Sequence, residues 1–224
     1  MAQAVVSARY GFGHEVSYGL DGLDLRLAAQ ITRHDGVFVE AGANDGLSQS
    51  NTALFERHRG WTGLLVEAIP DLARQCRVNR RGAVVEQAAL VGPEHASETI
   101  FMHFAHLMSV VAGDWGGEGR DPAHVRDGLA RQDLRDSYEV EVPARTLSSL
   151  LDAHGLDHVD LLCLDLEGYE VPALRGLDLS RHRPEFVLVE AFDPEGIAAT
   201  LGPGYDLIDR PSPRDVLYRR RDSS

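Results

Sequence analysis

The chain has 224 residues, 43% of them hydrophobic, enough for one large core and near the usual size of a single α/β domain. Asp and Glu outnumber Lys and Arg by 35 to 22, a formal charge of −13, which argues against a nucleic-acid surface because phosphate neutralisation needs a clustered basic patch. No run approaches the roughly 18 apolar residues of a membrane span, the N-terminus lacks a charged-then-apolar leader, and the two cysteines, Cys76 and Cys163, are expected to be reduced thiols; the expectation is a cytoplasmic protein with no membrane partner.

Residues 1–36 are predicted to form an N-terminal cap with a helix over 23–32. Strands are predicted over 37–41, 63–67, 83–87, 159–165 and 186–190, each short, rich in Val, Leu, Ile or Phe, and bounded by Gly, Pro or charge. Helices are predicted over 48–58 and 70–79, the second opened by Pro70. Several strands are apolar almost throughout, as expected for a parallel sheet covered by helices on both faces. Residues 99–104 and 138–143 read as extra strands flanking a polar insertion, 105–137, that contains "GDWGGEGRDP"; with Ser109 and Trp115 this insertion reads as lid material over an acceptor. Residues 205–209 and 216–218, joined by "RPSPRD", read as a terminal hairpin. The basic clusters Arg80-Arg81 and Arg219-Arg220-Arg221 are expected to be solvated ends of elements. One domain over 1–224 is the expectation, and a homo-oligomer is compatible with it.

The first strand ends in "VFVEAGANDG". Glycine at 42 and 46 allows close backbone approach to a ligand, and ligands of open α/β sheets sit beyond the carboxyl ends of the strands. The spacing is not G-x-G-x-x-G, which counts against a pyrophosphate cofactor and so against a nicotinamide-dependent oxidoreductase. Glu40 would repel a pyrophosphate but suits the ammonium of S-adenosylmethionine. Glu67, at the end of the second strand, is the type of residue that holds both hydroxyls of a ribose, because one carboxylate accepts several hydrogen bonds. Gln87, Ala88 and Ala89 at the end of the third strand are expected to border an adenine ring.

"VFVEAGANDGLSQSNTALFERHRGWTGLLVEAIP", with "VPARTLSSLLDAHGLDHVDLLCLDLEGYEVPALRGL" and "RPEFVLVEAF", resembles the FkbM-type S-adenosylmethionine-dependent methyltransferases over about residues 15–193. The resemblance implies a class I, Rossmann-like methyltransferase fold with a mostly parallel seven-stranded sheet ending in an antiparallel hairpin, and methyl transfer usually to a hydroxyl oxygen. It implies that Glu40, Gly42, Asn44 and Gly46 surround the methionine part of the cofactor, that Glu67 binds the ribose flanked by Ala68 and Ile69, and that Gln87 and Ala88 border the adenine. The implied acceptor is a hydroxylated small molecule such as a sugar or natural-product intermediate.

Two groups are candidates for the chemistry. Asp165 and Glu167, one residue apart at a strand end, and Glu190 from the next strand make an oxygen-rich cluster suited to Mg²⁺ or another divalent cation. Alternatively Asp165 contacts the cofactor amine while Glu167 and Glu170 cap the next helix, and no metal binds. His103 and His106 are candidates, with Asp165, for the base that takes a hydroxyl proton. A non-catalytic cofactor-binding module is the other reading; intact Glu40, Glu67 and Asp165 speak against it.

Overall fold

The computed structural model describes residues 16–103, 110–111 and 138–222. In chain order the elements are α1 (Leu23–Gln30), β1 (Val37–Ala41), α2 (Ala53–Arg59), β2 (Thr62–Val66), α3 (Pro70–Asn79), β3 (Val84–Glu86), β4 (Ala89–Leu90), β5 (Thr99–His103), β6 (Val110–Val111), β7 (Glu139–Arg145), α4 (Leu147–Ala153), β8 (Leu161–Leu164), α5 (Glu170–Arg175), β9 (Phe186–Glu190), α6 (Pro194–Leu201), β10 (Tyr205–Asp209) and β11 (Asp215–Arg220). His106, Ser109, Trp115 and most of the 105–137 insertion lie outside the described residues.

The main sheet has seven strands in the order β3-β2-β1-β8-β9-β11-β10, parallel except for β11, which runs antiparallel to both neighbours. This is the expected class I, Rossmann-like sheet with its terminal hairpin. Its interior parallel strands are apolar almost throughout, with Glu40 and Glu190 near their carboxyl ends, because each face is covered. Val39, Leu162, Leu164, Val187 and Val189 pack on one side with residues of α4, α5 and α6. On the other, Phe38, Leu65, Leu161, Cys163 and Leu188 pack with residues of α1, α2 and α3. Period-two alternation therefore splits one hydrophobic run between two cores. The extra strands form a separate sheet, β4-β7-β5-β6. Ile69, Leu72, Ala89, Met102 and Val142 join it to the start of α3.

Chain order reverses between β1 and β8, so the carboxyl ends of these strands splay their loops apart and leave a crevice. Gly42 makes the two exits compatible. It sits at φ +79°, and a Cβ there would lie 1.9 Å from the carbonyl oxygen of Asp165.

Two expectations need correction. The helix predicted over 48–58 begins only at Ala53, because Ser50, Asn51 and Thr52 turn inward to hydrogen-bond Glu40 instead of continuing a helix. Arg80 is not a solvated end; its side chain is fully buried. Its Nε donates to Glu56 Oε2 at 2.6 Å, its Nη1 to Gly46 O and Ser50 Oγ at 3.0 Å each, and its Nη2 to Thr52 Oγ1 at 2.9 Å. Among the described residues no helix is long and apolar enough to cross a membrane.

Removing one member of a buried charge pair strands the other. Arg80→Met is therefore expected to lower stability by about 3–5 kcal/mol, measured by urea unfolding.

Candidate active site

A cavity of about 990 Å³ opens over the carboxyl ends of β1, β2, β8 and β9. Pockets for one ligand run from roughly 300 to 1,000 Å³, so this one has room for a nucleoside cofactor and part of an acceptor. Its lining falls into two halves. Glu40–Asn44, Glu67, Ala68 and Ala88–Leu90 line one; Glu190, Arg210–Asp215 and the cap residues Leu20, Asp21, Leu23 and Arg26 line the other; Asp165–Glu167 lie between them.

Glu67 organises the first half. Its Oε2 accepts from the amide of Asn44 at 2.8 Å and its Oε1 from the amide of Ile69 at 2.7 Å. Asn44 reaches this position in the left-handed conformation, φ +51°, which Asn tolerates, and its own Oδ1 accepts from the amide of Asp45. The Ala68 amide also turns to this carboxylate, so of its roughly four acceptor positions some capacity remains for a ligand. Burial pushes the carboxyl up to about 7, against the pull of the Ile69, Asn44 and Ala68 amides, so a ligand presenting hydroxyl donors would favour its ionised form.

Glu40 is buried, and its oxygens are largely engaged within the protein. Oε1 accepts from the Asn51 amide at 2.7 Å; Oε2 accepts from the hydroxyls of Ser50 and Thr52 at 2.9 and 2.6 Å, with Arg80 Nη1 at 3.6 Å. It ties the loop after β1 to the sheet, leaving one acceptor position on Oε1.

Ala68 and Ala88 line the cavity with Glu40, Gly42, Asn44, Glu67 and Asp165, but three residues expected beside them do not. Gly46 faces α3: at φ +86° its missing Cβ leaves room for Arg80 Cγ and Cys76 Sγ. Ile69 is buried in the cluster that joins the small sheet to α3, and only its amide serves the site, through Glu67. Gln87 turns back to donate to the Ala68 carbonyl at 3.1 Å. His103 is also displaced, since β5 carries it to Glu139, 3.5 Å away, rather than to the cavity. His106 falls outside the described residues.

The acids of the predicted cluster do converge: Asp165, Glu167 and Glu190 each bring an oxygen within 4.8 Å of the others. Asp165 stands at the cavity surface, enclosed behind; this enclosure, then Glu190 and Glu167, push its carboxyl well above the usual carboxylate range. Burial and Glu167 push Glu190 up to about 7. Glu190 Oε1 accepts from Arg214 at 3.2 Å, while its Oε2 is buried without a donor among the described residues; a proton shared with Asp165, or a cation, would supply what is missing.

Glu170 holds this cluster in shape. Only 1% exposed, it uses one oxygen to accept from the amides of Leu166 and Gly168 at 2.9 and 3.0 Å. That clasp holds Glu167 at φ +53° and Gly168 at φ +101°. Sequence reading missed the Arg210–Asp215 wall of the cavity. The signal was "RPSPRD", a stretch with two prolines, too long and too stiff for a tight hairpin turn.

Residues 40–208 match the family of the methyltransferase FkbM domain. The chain aligns with the crystal structure of methyltransferase FkbM from Methylobacillus flagellatus KT at 15% identity and TM-score 0.53, covering 95% of this chain and 51% of that one. It also aligns with a TehB-like S-adenosylmethionine-dependent methyltransferase from Corynebacterium glutamicum ATCC 13032 Kitasato at 10% identity and TM-score 0.45, covering 98% of each chain. No curated protein matches it in sequence. Fold and site thus define a class I methyltransferase architecture. The chain belongs to the FkbM methyltransferase family and spans about half the length of the Methylobacillus protein.

Burial raises Glu170 to about 7, above its usual value near 4.5, so the stability tied to its protonated form is complete at low pH and lost as pH rises through 7. Glu170→Gln removes that titration. The stability of the variant relative to the parent is expected to improve from about pH 4.5 to about pH 7 and to level off above it in denaturant unfolding, while Glu170→Ala, which loses the clasp, is less stable than Glu170→Gln throughout.

Proposed function

We propose that the protein is an S-adenosylmethionine-dependent O-methyltransferase acting on a hydroxyl of a small molecule, a sugar or natural-product intermediate. The observation that carries this reading is Glu67: its carboxylate is fixed by the backbone amides of Asn44, Ile69 and Ala68 and keeps acceptor capacity beside the apolar Ala88–Leu90 wall. That donor-seeking edge suits a ribose with its two hydroxyls, with adenine against the wall. Gly42, Asn44 and the remaining acceptor position of Glu40 then border the amino-acid end.

Methyl transfer is an in-line displacement at the sulfonium carbon: the acceptor oxygen forms a bond to the methyl carbon as the carbon–sulfur bond breaks, and the hydroxyl proton leaves to a base. With the cofactor over β1–β3, the acceptor hydroxyl approaches from the side of β8 and β9. Asp165, at the boundary of the two halves, is the carboxylate that takes its proton. A metal-assisted variant is favoured by one further observation, the buried and unpartnered Glu190 Oε2 within the acid triad. Asp165, Glu167 and Glu190 would hold the cation, which supplies Lewis-acid polarisation of an acceptor oxygen.

Calorimetry is expected to detect S-adenosylmethionine binding that weakens as pH falls below about 7, where Glu67 becomes protonated. Glu67→Gln should bind at least about tenfold more weakly, with that pH dependence lost; undiminished binding would remove the ribose assignment. For the metal, exhaustive EDTA treatment is expected to abolish transfer and added Mg²⁺ to restore it, whereas unchanged activity would leave Asp165 acting without a cation.

A further inference from the structure

The acceptor half carries a feature that the methyltransferase reading does not use. Among the described residues lining the cavity, the basic side chains are Arg26, Arg210 and Arg214, and all lie on this side. The cofactor half has none, and the chain as a whole is acidic by 13 charges.

The wall that carries them is built rather than loose. Pro211 and Pro213 restrict its backbone, and Pro211 is buried. The Ser212 hydroxyl accepts from the amides of Arg214 and Asp215, both at 3.0 Å, and donates to the Asp215 carboxyl. The Arg214 carbonyl accepts from the amide of Ala191, just beyond β9. From the cap, Arg26 Nη1 donates to the Pro211 carbonyl at 2.8 Å and its Nη2 to Asp21 O at 3.1 Å, stapling the wall to α1.

These bonds leave two guanidiniums at the rim. Arg210 has no ion-pair partner among the described residues. Arg214 has one hydrogen bond, to Glu190 at 3.2 Å, and is otherwise open. The acids on this side are accounted for: Asp215 is held by Ser212, Asp21 sits on the exposed cap, and Asp165, Glu167 and Glu190 form the floor. The half is therefore bipolar, with carboxylates below to receive hydroxyls and guanidiniums above.

We infer that the acceptor is a hydroxylated anion, with a carboxylate or phosphate group received by Arg210 and Arg214 while its hydroxyl points to the acidic floor. Guanidinium forks match both oxyanions, and charge-assisted hydrogen bonds are the strong ones. The inference deepens the O-methyltransferase reading and rests on it for the word acceptor, but the anion site itself can be tested without turnover.

The test titrates the protein, with and without S-adenosylhomocysteine, with inorganic phosphate and separately with acetate, following the Nε–Hε resonances of the arginines. The expected result is a saturable shift at Arg210 and Arg214 and none at the exposed Arg175; the anion that saturates at lower concentration identifies phosphate or carboxylate as the group. In Arg210→Gln/Arg214→Gln the affinity for that anion should fall at least about tenfold, with S-adenosylmethionine binding retained as the check that the fold is intact. Non-saturable shifts, shifts of equal size at Arg175, or unchanged affinity in the double variant would overturn the inference. Failure of the parent protein to bind S-adenosylmethionine would instead overturn the methyltransferase reading and leave the anion result to stand by itself.

Discussion

The guanidinium of Arg80, sealed from solvent at the end of α3, is the constraint on which the β1 side of the cavity depends. It reaches Glu56 on α2, the carbonyl of Gly46, and the hydroxyls of Ser50 and Thr52, which in turn bond Glu40 at the end of β1. One cation thus fastens the loop after β1 to both helices behind it. An isolated buried charge would be strongly unfavourable; this one is tolerated because nearly all its donors are matched and because Phe38 lies under the guanidinium at 5.2 Å. The loop can then present the Asn44 amide to Glu67 in a fixed geometry, which a glycine-rich turn would not achieve unaided.

A second clasp repeats this logic across the crevice. Glu170 is buried beneath the β8 exit and uses one carboxylate oxygen to hold two amides of the loop that carries Glu167. The two loops meet where Gly42 passes the Asp165 carbonyl at a distance no side chain would allow. The turn after β1 and the acid cluster are therefore packed backbone to backbone. Burial raises the carboxyls of Glu67, Glu170 and Glu190 to about 7, while water-exposed Asp152, held by Arg181, and Asp178, held by Ser180 and Arg181, lie below their usual range. The contrast is what catalytic clefts require and surface ion pairs do not.

The second half of the cavity is assembled from parts far apart in the chain. The cap before β1 and the connection between β10 and β11 meet through Arg26 and the Pro211 carbonyl, 185 residues apart. The connection stands outside the two hydrophobic clusters of the sheet, while the cap is anchored in one of them through Leu23, Leu25 and Leu27. Substrate choice in folds of this kind belongs to segments like these, while the sheet keeps the chemistry in place.

The residue order by itself determined the sheet, since apolar runs buried on both faces and alternating with helical stretches, one opened by Pro70, have few other ways to fold. It also determined Glu67 and the acid cluster, because strand ends mark where a crevice must open. It did not determine what stands behind those residues. Arg80 beside Arg81 reads as a charged helix end, and only the packing of α2 against α3 turns it inward; Gln87, Ile69 and Gly46 sit beside the pocket in sequence but turn away from it, because strand and helix periodicity sets which neighbours face the same way. His103 was drawn off by strand pairing with Glu139. The basic rim was decided by tertiary structure alone: Arg26, Arg210 and Arg214 share a wall because the antiparallel β11 returns beside β9 and brings the connection before it over the mouth of the cavity.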